Sequence, residues 1–500
     1  MLAAAGCAVR AGTTRLSPAV SRLASELDSA FSGPEFARAT WGVVVQSLDN
    51  GEVVYRRNAE RLLMPASNQK LITASAALSG LGADFRYRTA VAARGVRRGD
   101  TLAGDLLVVG RGDPTLSLHF SGGGDVLASL RPWADSLRAR GVRVLTGRVA
   151  GDGSWFTDAP LGAGWAWDYL SDSYAAPVGA LQFNEGFALL LVTPGDTAGA
   201  PARLALAPSG APLRVFGAVA TAPRDSGVAS IRFSRASFSD SLNVSGRISA
   251  GGPPDTSEVA VLDPVRFFEA ALTQVLREAG IAVLGGVAAG APGPQGATGA
   301  PARTAGSAPP AETLFVWLSP PLRDILPLFL KPSQNQIGET LLRTLGGELR
   351  GQASVDSGRA AVQETLRGFG VADDAYVLAD GSGLSRYNYV APETLARVLV
   401  AMARRPDFDV FYRALPIAGV DGTIAGRMRG TAAAGNVHAK TGSISNVRSL
   451  SGYVTTAEGE RLVFVMIANH FTVPRRIAEL VQDRVLERLA NFSRREALAR

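Results

Sequence analysis

Apolar spacing changes character several times along the chain. SPAVSRLASELDSAF (17–31) places its apolar residues at helical intervals after a Ser-Pro start and predicts a helix. TWGVVVQSLDNGEVVYRRN (40–58) reads as a β-hairpin turning at Asn50-Gly51. Near the other end, NVHAKTGSISNVRSLSGYVTTAEGERLVFVMIANH (436–470) predicts two or three antiparallel strands, and RRIAELVQDRVLERLANF (475–492) a last amphipathic helix. Strands at both ends with helices between and after predict one α+β sheet domain assembled from both termini.

The middle differs. From about Gly95 to Ala289 the chain offers short β-like runs, such as TLAGDLLVVGRGD (101–113) and ALLLVTP (188–194), with one helix, DPVRFFEAALTQVLREAG (263–280). GAPGPQGATGAPARTAGSAPP (290–310) is a Gly/Ala/Pro tract that reads as a linker. The simplest architecture is a discontinuous outer domain carrying a large insertion.

Composition narrows the chemistry. The chain has 500 residues, 46% hydrophobic and 19% charged, which fits a multidomain globular protein. No run of 18 apolar residues predicts a membrane-spanning helix. The net charge of +7 is scattered, without the basic runs and interleaved aromatics of a nucleic-acid face, so no nucleic-acid partner is expected. One cysteine forbids an internal disulfide or a Cys-based zinc site, and no H-E-x-x-H or Walker A motif occurs. Neither metal nor cofactor is expected. AAAGC, ending at Cys7, looks like a weak bacterial lipoprotein box with most of the signal upstream missing.

Of the 51 lysines and arginines, three are lysine: Lys70, Lys331 and Lys440. Arginine stays protonated, whereas lysine can become a neutral base. Lys70 stands three residues after Ser67, so on a helix the two share a face. A first-turn lysine lies near the positive end of the macrodipole, which favours its neutral form and suits a general base for the serine hydroxyl. Lys440 opens Lys440-Thr441-Gly442 on a predicted strand, where Gly442 leaves room for a ligand backbone and Lys440 and Thr441 suit a carboxylate. Lys331 lies two residues before Ser333-Gln334-Asn335, whose hydroxyl and amide can relay a proton and hold a substrate amide.

S-x-x-K, S-x-N and K-T-G in this order occur in penicillin-interactive serine enzymes. With MPASNQKL, RGDPTLS, DGSWF, PSQNQIGETLL, ADGSGLSRYN, GVDGTIAGRM and AKTGSISNVRSLSGY, the chain resembles the D-alanyl-D-alanine carboxypeptidase/endopeptidase family of class C low-molecular-mass penicillin-binding proteins from about residue 20 onward. Ser333 follows Ser67 by 266 residues, and this family carries two extra domains in that interval.

The resemblance implies a β-lactamase/transpeptidase-like domain at 17–94 and 311–500, an inserted domain II at 95–180 and 262–289, and a nested domain III at 181–261. It implies Ser67 as nucleophile, Lys70 as base, and Ser333, Asn335 and Lys440 as the network returning the proton. It places the oxyanion hole on the N–H groups of Ser67 and Ser443. Thr441 and Gly442 would bind substrate, Asp152 the amine of a diamino-acid side chain, and Arg386 its neighbourhood. Asp152 also reads simply as a turn residue, and Arg386 as a solvated arginine. Trp165 and Trp167 read as core packing ahead of a sugar platform, and His438 as a strand residue. Implied partners are peptidoglycan peptides and β-lactam antibiotics, at a periplasmic site with possible anchoring through Cys7. Two alternatives remain: a β-lactamase or esterase of the same fold, and a non-catalytic wall-binding scaffold. Carboxypeptidase and endopeptidase activity are not separated by sequence.

Overall fold

The computed structural model describes residues 17–236, 239–286 and 311–495; Cys7 and the tract at 290–310 lie outside them. The strands expected at the two chain ends form one antiparallel sheet in the order His438–Ile444, Val447–Thr455, Arg461–Asn469, Thr40–Ser47, Val53–Arg57. Gly51, at φ 79°, turns the first hairpin. The termini meet where Thr40 pairs with Asn469 and Ser47 with Leu462.

Alternation along these strands supplies two cores. Val43, Val45, Phe464 and Met466 point to one face, against the terminal helices Pro18–Phe31 and Arg475–Ala490. Val44, Val463, Val465 and Ile467 point to the other, against a group of helices. At its centre runs Gln69–Leu81, buried at every position from 69 to 78. Its neighbours include Asn335–Arg350, Val355–Gly368 and Pro392–Ala403. Each fully buried Leu, Ile or Phe in these layers contributes about 1.5–3 kcal/mol.

The interval between the motifs holds three further sheets. In one, Ala282–Val283, Val144–Leu145, Thr101–Val109, Arg88–Arg98 and Glu312–Leu318 lie in that order, with Val149–Asp152 also parallel to Thr101–Val109. The sequence boundaries at 94/95 and 311 fall differently: Arg88–Arg98 crosses the first as a continuous strand. Glu312–Leu318 pairs with it rather than with the sheet of the chain ends. Two three-stranded sheets follow, one of Phe187–Thr193, Arg203–Ala207 and Asp255–Ala260, the other of Arg214–Ala222, Ala229–Ser234 and Ser241–Ser249. They share a hydrophobic core with the preceding sheet and helix Pro264–Glu278. A second helix here, Arg131–Ala139, escapes the sequence reading because its nine residues bury only Trp133, Ala134 and Leu137. Among the described residues no helix is long and apolar enough to cross a membrane.

Candidate active site

Ser67 lies on a single 3-10 turn, Ala66–Asn68, that feeds into helix Gln69–Leu81. Lys70 therefore occupies the first helical turn and looks back at the serine, its Nζ donating to Ser67 Oγ at 2.9 Å. The same ammonium donates to Asn335 Oδ1 at 2.6 Å and to Ser382 O at 2.8 Å. Asn335 opens helix Asn335–Arg350, so the S-x-N motif sits on the approach to a helix, as its sequence suggests. Ala66 and Ser333 both hold left-handed φ, at 47° and 71°, a conformation uncommon outside glycine and concentrated at functional sites.

Strand His438–Ile444 closes the site as the sheet edge. Three contacts bind it and its neighbouring strand to the nucleophile turn. Asn68 Nδ2 donates to Lys440 O at 2.7 Å, Ser449 Oγ donates to Pro65 O at 2.6 Å, and Gly442 faces the turn directly. A Cβ on Gly442 would stand 2.1 Å from Ser449 Oγ, 2.6 Å from Pro65 O and 3.0 Å from Ser67 N. The space beside Gly442 is thus filled by the protein's own nucleophile turn, a different use from the ligand approach read in the sequence. Lys440 is fully buried and donates to Thr441 O at 3.0 Å. Ser67, Ser333, Thr441, Gly442 and Ser443 line one cavity of about 410 Å³.

Burial pushes the Lys70 amine down to about 7, with Asp380 and Glu339 opposing that shift. Desolvation, rather than the helix macrodipole expected from the first-turn position, is the dominant cause in the folded protein. Lys440 is held well below the ordinary lysine range by burial, and the charge on Lys70 adds to it.

The sequence reading passes over the groups beneath Lys70. Glu339, fully buried, accepts from the N–H groups of Gly381 at 3.1 Å and Ser382 at 2.9 Å. Burial raises its carboxyl to about 7. Asp380 accepts from the N–H groups of Gly383 and Ser385, each at 2.7 Å, and from Trp165 Nε1 at 3.0 Å. Arg343 joins Glu339, at 3.4 Å, to Asp158 of the insertion, at 2.9 Å. These acids stand inside ETLL and ADGS, but only the fold reveals that they are buried under the lysine.

The third lysine plays another part. Lys331 pairs with Asp421, and its backbone carbonyl accepts from Thr423 N at 3.1 Å. Thr423 Oγ1 lies 2.7 Å from Thr441 Oγ1 in the same cavity, a residue that spacing alone does not select. His438 is a strand residue stacked on Tyr412 with centroids 3.9 Å apart.

Asp152 ends strand Val149–Asp152 and accepts from Ser154 N at 2.9 Å, the turn contact. Arg386 reaches Ser445 O at 3.4 Å and Tyr169 Oη at 3.5 Å, beside the strand that carries Lys440. Among the described residues, no hydrogen bond or ion pair joins Asp152 to Arg386 or to the Ser67 cluster. Trp165 is partnered and partly buried, whereas Trp167 is 78% exposed, so the core-packing reading fails for the second.

A sheet with helices on both faces, and a buried lysine against a serine hydroxyl, define a serine hydrolase of the penicillin-binding class. Residues 23–489 match the D-Ala-D-Ala carboxypeptidase 3 (S13) family, and the chain belongs to it. A D-alanyl-D-alanine carboxypeptidase from Actinomadura sp. (strain R39) is 35% identical over 491 residues, covering 96% of this chain and 86% of the relative. D-alanyl-D-alanine carboxypeptidase DacB from Haemophilus influenzae is 29% identical over 434 residues, covering 86% and 85%. The crystal structure of penicillin binding protein 4 (dacB) from H. influenzae is similar at a TM-score of 0.75 and 27% identity, over 94% of this chain and 99% of that one. A second structure of that protein, complexed with a β-lactam, is similar at a TM-score of 0.70 and 28% identity, over 93% and 97%. The chain is a serine-type D-Ala-D-Ala carboxypeptidase.

Proposed function

We propose that this chain cleaves the bond following a D-alanine in peptidoglycan stem peptides and cross-links through an acyl-enzyme on Ser67. The observation that carries this reading is the 2.9 Å contact between Lys70 Nζ and Ser67 Oγ, with the amine pushed to about 7. Near neutral pH a substantial fraction of Lys70 is uncharged. It takes the hydroxyl proton as Ser67 Oγ attacks the D-alanyl carbonyl carbon.

The N–H groups of Ser67 and Ser443 receive the developing oxyanion, a contact worth roughly 3 kcal/mol per donor in related acyl transfer. Collapse expels the amine, protonated through Ser333 with Asn335 and Lys440 supporting the relay. Water then attacks the ester, releasing the shortened peptide and regenerating Ser67. Thr441 and Gly442 lie along the bound peptide, with Thr441 facing its terminal carboxylate, while Asp152 and Arg386 take the charged end of a diamino-acid side chain.

Penicillins acylate the same serine in this reading, in keeping with the β-lactam bound by the H. influenzae relative. The substrate places the enzyme outside the cytoplasm, in the periplasm, with Cys7 as its candidate lipid anchor. The three sheets between the motifs form the inserted domain II and nested domain III, with Arg88–Arg98 and Glu312–Leu318 as the two connections to the peptidase domain.

Intact mass spectrometry tests the assignment. A penicillin should add its own mass to the wild type and add nothing to Ser67→Ala. An adduct that persists in the variant, or none in the wild type, overturns it.

A further inference from the structure

Behind the catalytic cleft lies a larger cavity of about 1190 Å³, above the roughly 300–1,000 Å³ usual for a small-molecule site. One wall is the segment from Asp158 to Asp172, and the opposite wall is the edge strand Ala229–Ser234 of the sheet at 214–249. Residues next to the first wall reach the peptidase site. Tyr174, two residues beyond it, accepts through its carbonyl from Asn335 Nδ2 at 2.8 Å, and its hydroxyl donates to Asp172 at 2.8 Å. Tyr169 touches Arg386 and Ser445. A single stretch of chain therefore has one side on the peptidase site and the other on the cavity.

The chemistry of the lining selects the ligand. Trp167, 78% exposed, offers an unpacked indole face at the rim, and Phe233 offers a second aromatic surface opposite. The charges are mixed: Asp168, Asp172 and Asp240 against Arg232, Arg235 and Arg266. Most of these groups are engaged: Asp240 with Arg266 at 3.7 Å, Asp172 by the Tyr174 hydroxyl, Asp158 with Arg343, and Asp263 as cap to the N–H of Arg266. With as many acids as arginines in that set and one pair already matched, the lining offers no net charge to draw an anionic or cationic ligand. A neutral ligand rich in hydroxyl and amide groups meets donors and acceptors on the polar lining and an apolar ring face on the indole.

We propose that this cavity binds the N-acetylhexosamine strand from which the stem peptide hangs. The proposal rests on the peptidoglycan reading above and extends it to the sugar. The insertion then does more than flank the cleft: it seats the polymer while the peptide reaches Ser67.

The test separates the two readings. An uncharged tetrasaccharide of β-1,4-linked N-acetylglucosamine should bind the wild type, followed by titration calorimetry, and Trp167→Ala should weaken it by about three- to tenfold, the order of an aromatic contact. Arg232→Ala, also at an exposed position, should weaken it as well. In cleavage assays the wild type should show a lower KM for a disaccharide-linked pentapeptide than for the free pentapeptide. Trp167→Ala should remove that difference while leaving kcat and KM for the free peptide unchanged. No binding of the tetrasaccharide at millimolar concentration overturns the glycan site, as does an equal loss on both peptides. Glycan binding without hydrolysis of either peptide would instead overturn the peptidase reading and leave the sugar site standing.

Discussion

Glu339 reaches Lys70 through one residue: its carboxylate accepts from Ser382 N at 2.9 Å, and the carbonyl of Ser382 accepts from Lys70 Nζ at 2.8 Å. The acid thus fixes the loop that positions the base, and its charge favours protonated Lys70. A buried Glu–Arg pair such as Glu339–Arg343 is weak evidence for stability, because desolvation offsets the attraction. Its place beneath the base gives it a catalytic context. Lys440, Asp380 and Arg343 are the other ionisable groups in this neighbourhood.

From that relationship follows a pH dependence. Acylation requires neutral Lys70, so its rate should rise with pH through about 7 and level off above. Glu339→Gln keeps an oxygen for the two N–H groups and removes the charge that Glu339 carries above about 7, so the upper part of the rise should move to lower pH while the most acidic part stays in place. Penicillin acylation rates between pH 5 and 9, on both proteins, decide this. Coincident profiles would show that Glu339 has no electrostatic hold on the base.

Lys70→Arg preserves charge and removes the base. Acylation should fall by at least about 10²–10⁴, the usual contribution of a general base. Thermal unfolding of the same variant should be recorded alongside, since Lys70 is fully buried and a guanidinium needs more room. A folded variant acylating at the wild-type rate contradicts the role given to Lys70.

Gly442→Ala should separate strand from nucleophile. The added methyl meets Pro65 O at 2.6 Å and Ser67 N at 3.0 Å, both backbone atoms that cannot rotate aside. We expect a stability loss of about 1–3 kcal/mol from overpacking. Acylation should drop by more than tenfold, because ~1.4 kcal/mol of lost transition-state stabilisation already gives that factor. Denaturant melts and stopped-flow acylation measure the two effects separately, and an unchanged acylation rate would show that the Ser67 turn tolerates displacement.

Asp152→Ala distinguishes a ligand from a turn. If the carboxylate holds a substrate ammonium, kcat/KM for peptides with a free diamino-acid end should fall by about 1–3 kcal/mol. Penicillin acylation should stay nearly constant. Equal losses in both assays would assign Asp152 to local folding through its contact with Ser154, and no loss in either would leave it as a replaceable turn residue.

Local signals in the sequence carry local structure well. Asn50-Gly51 marks its hairpin, the Ser-Pro and Asp-Pro starts mark helices capped by Ser17 and Asp263, and S-x-x-K brings its serine and lysine within hydrogen-bond distance. What stays hidden depends on burial and on contacts across hundreds of residues. Glu339, Asp380 and Ser382 look like ordinary polar positions until the helix at 335–350 and the loop at 380–385 close over Lys70. Gly442 reads as room for a ligand until Pro65 and Ser67 are seen to fill it. Trp165 and Trp167 differ by two residues, yet one finds Asp380 and the other faces solvent.

The pairing of Thr40–Ser47 with Arg461–Asn469 governs when the enzyme becomes competent during its own synthesis. The sheets of the insertion close between residues 88 and 318, so they have every partner strand long before the chain is finished. The serine turn has no strand to lean on until residues 438–444 emerge, and contacts of such long sequence separation form late. An unfinished or C-terminally clipped chain therefore carries Ser67 and Lys70 without a reactive centre, and hydrolytic activity arrives only with the last strands.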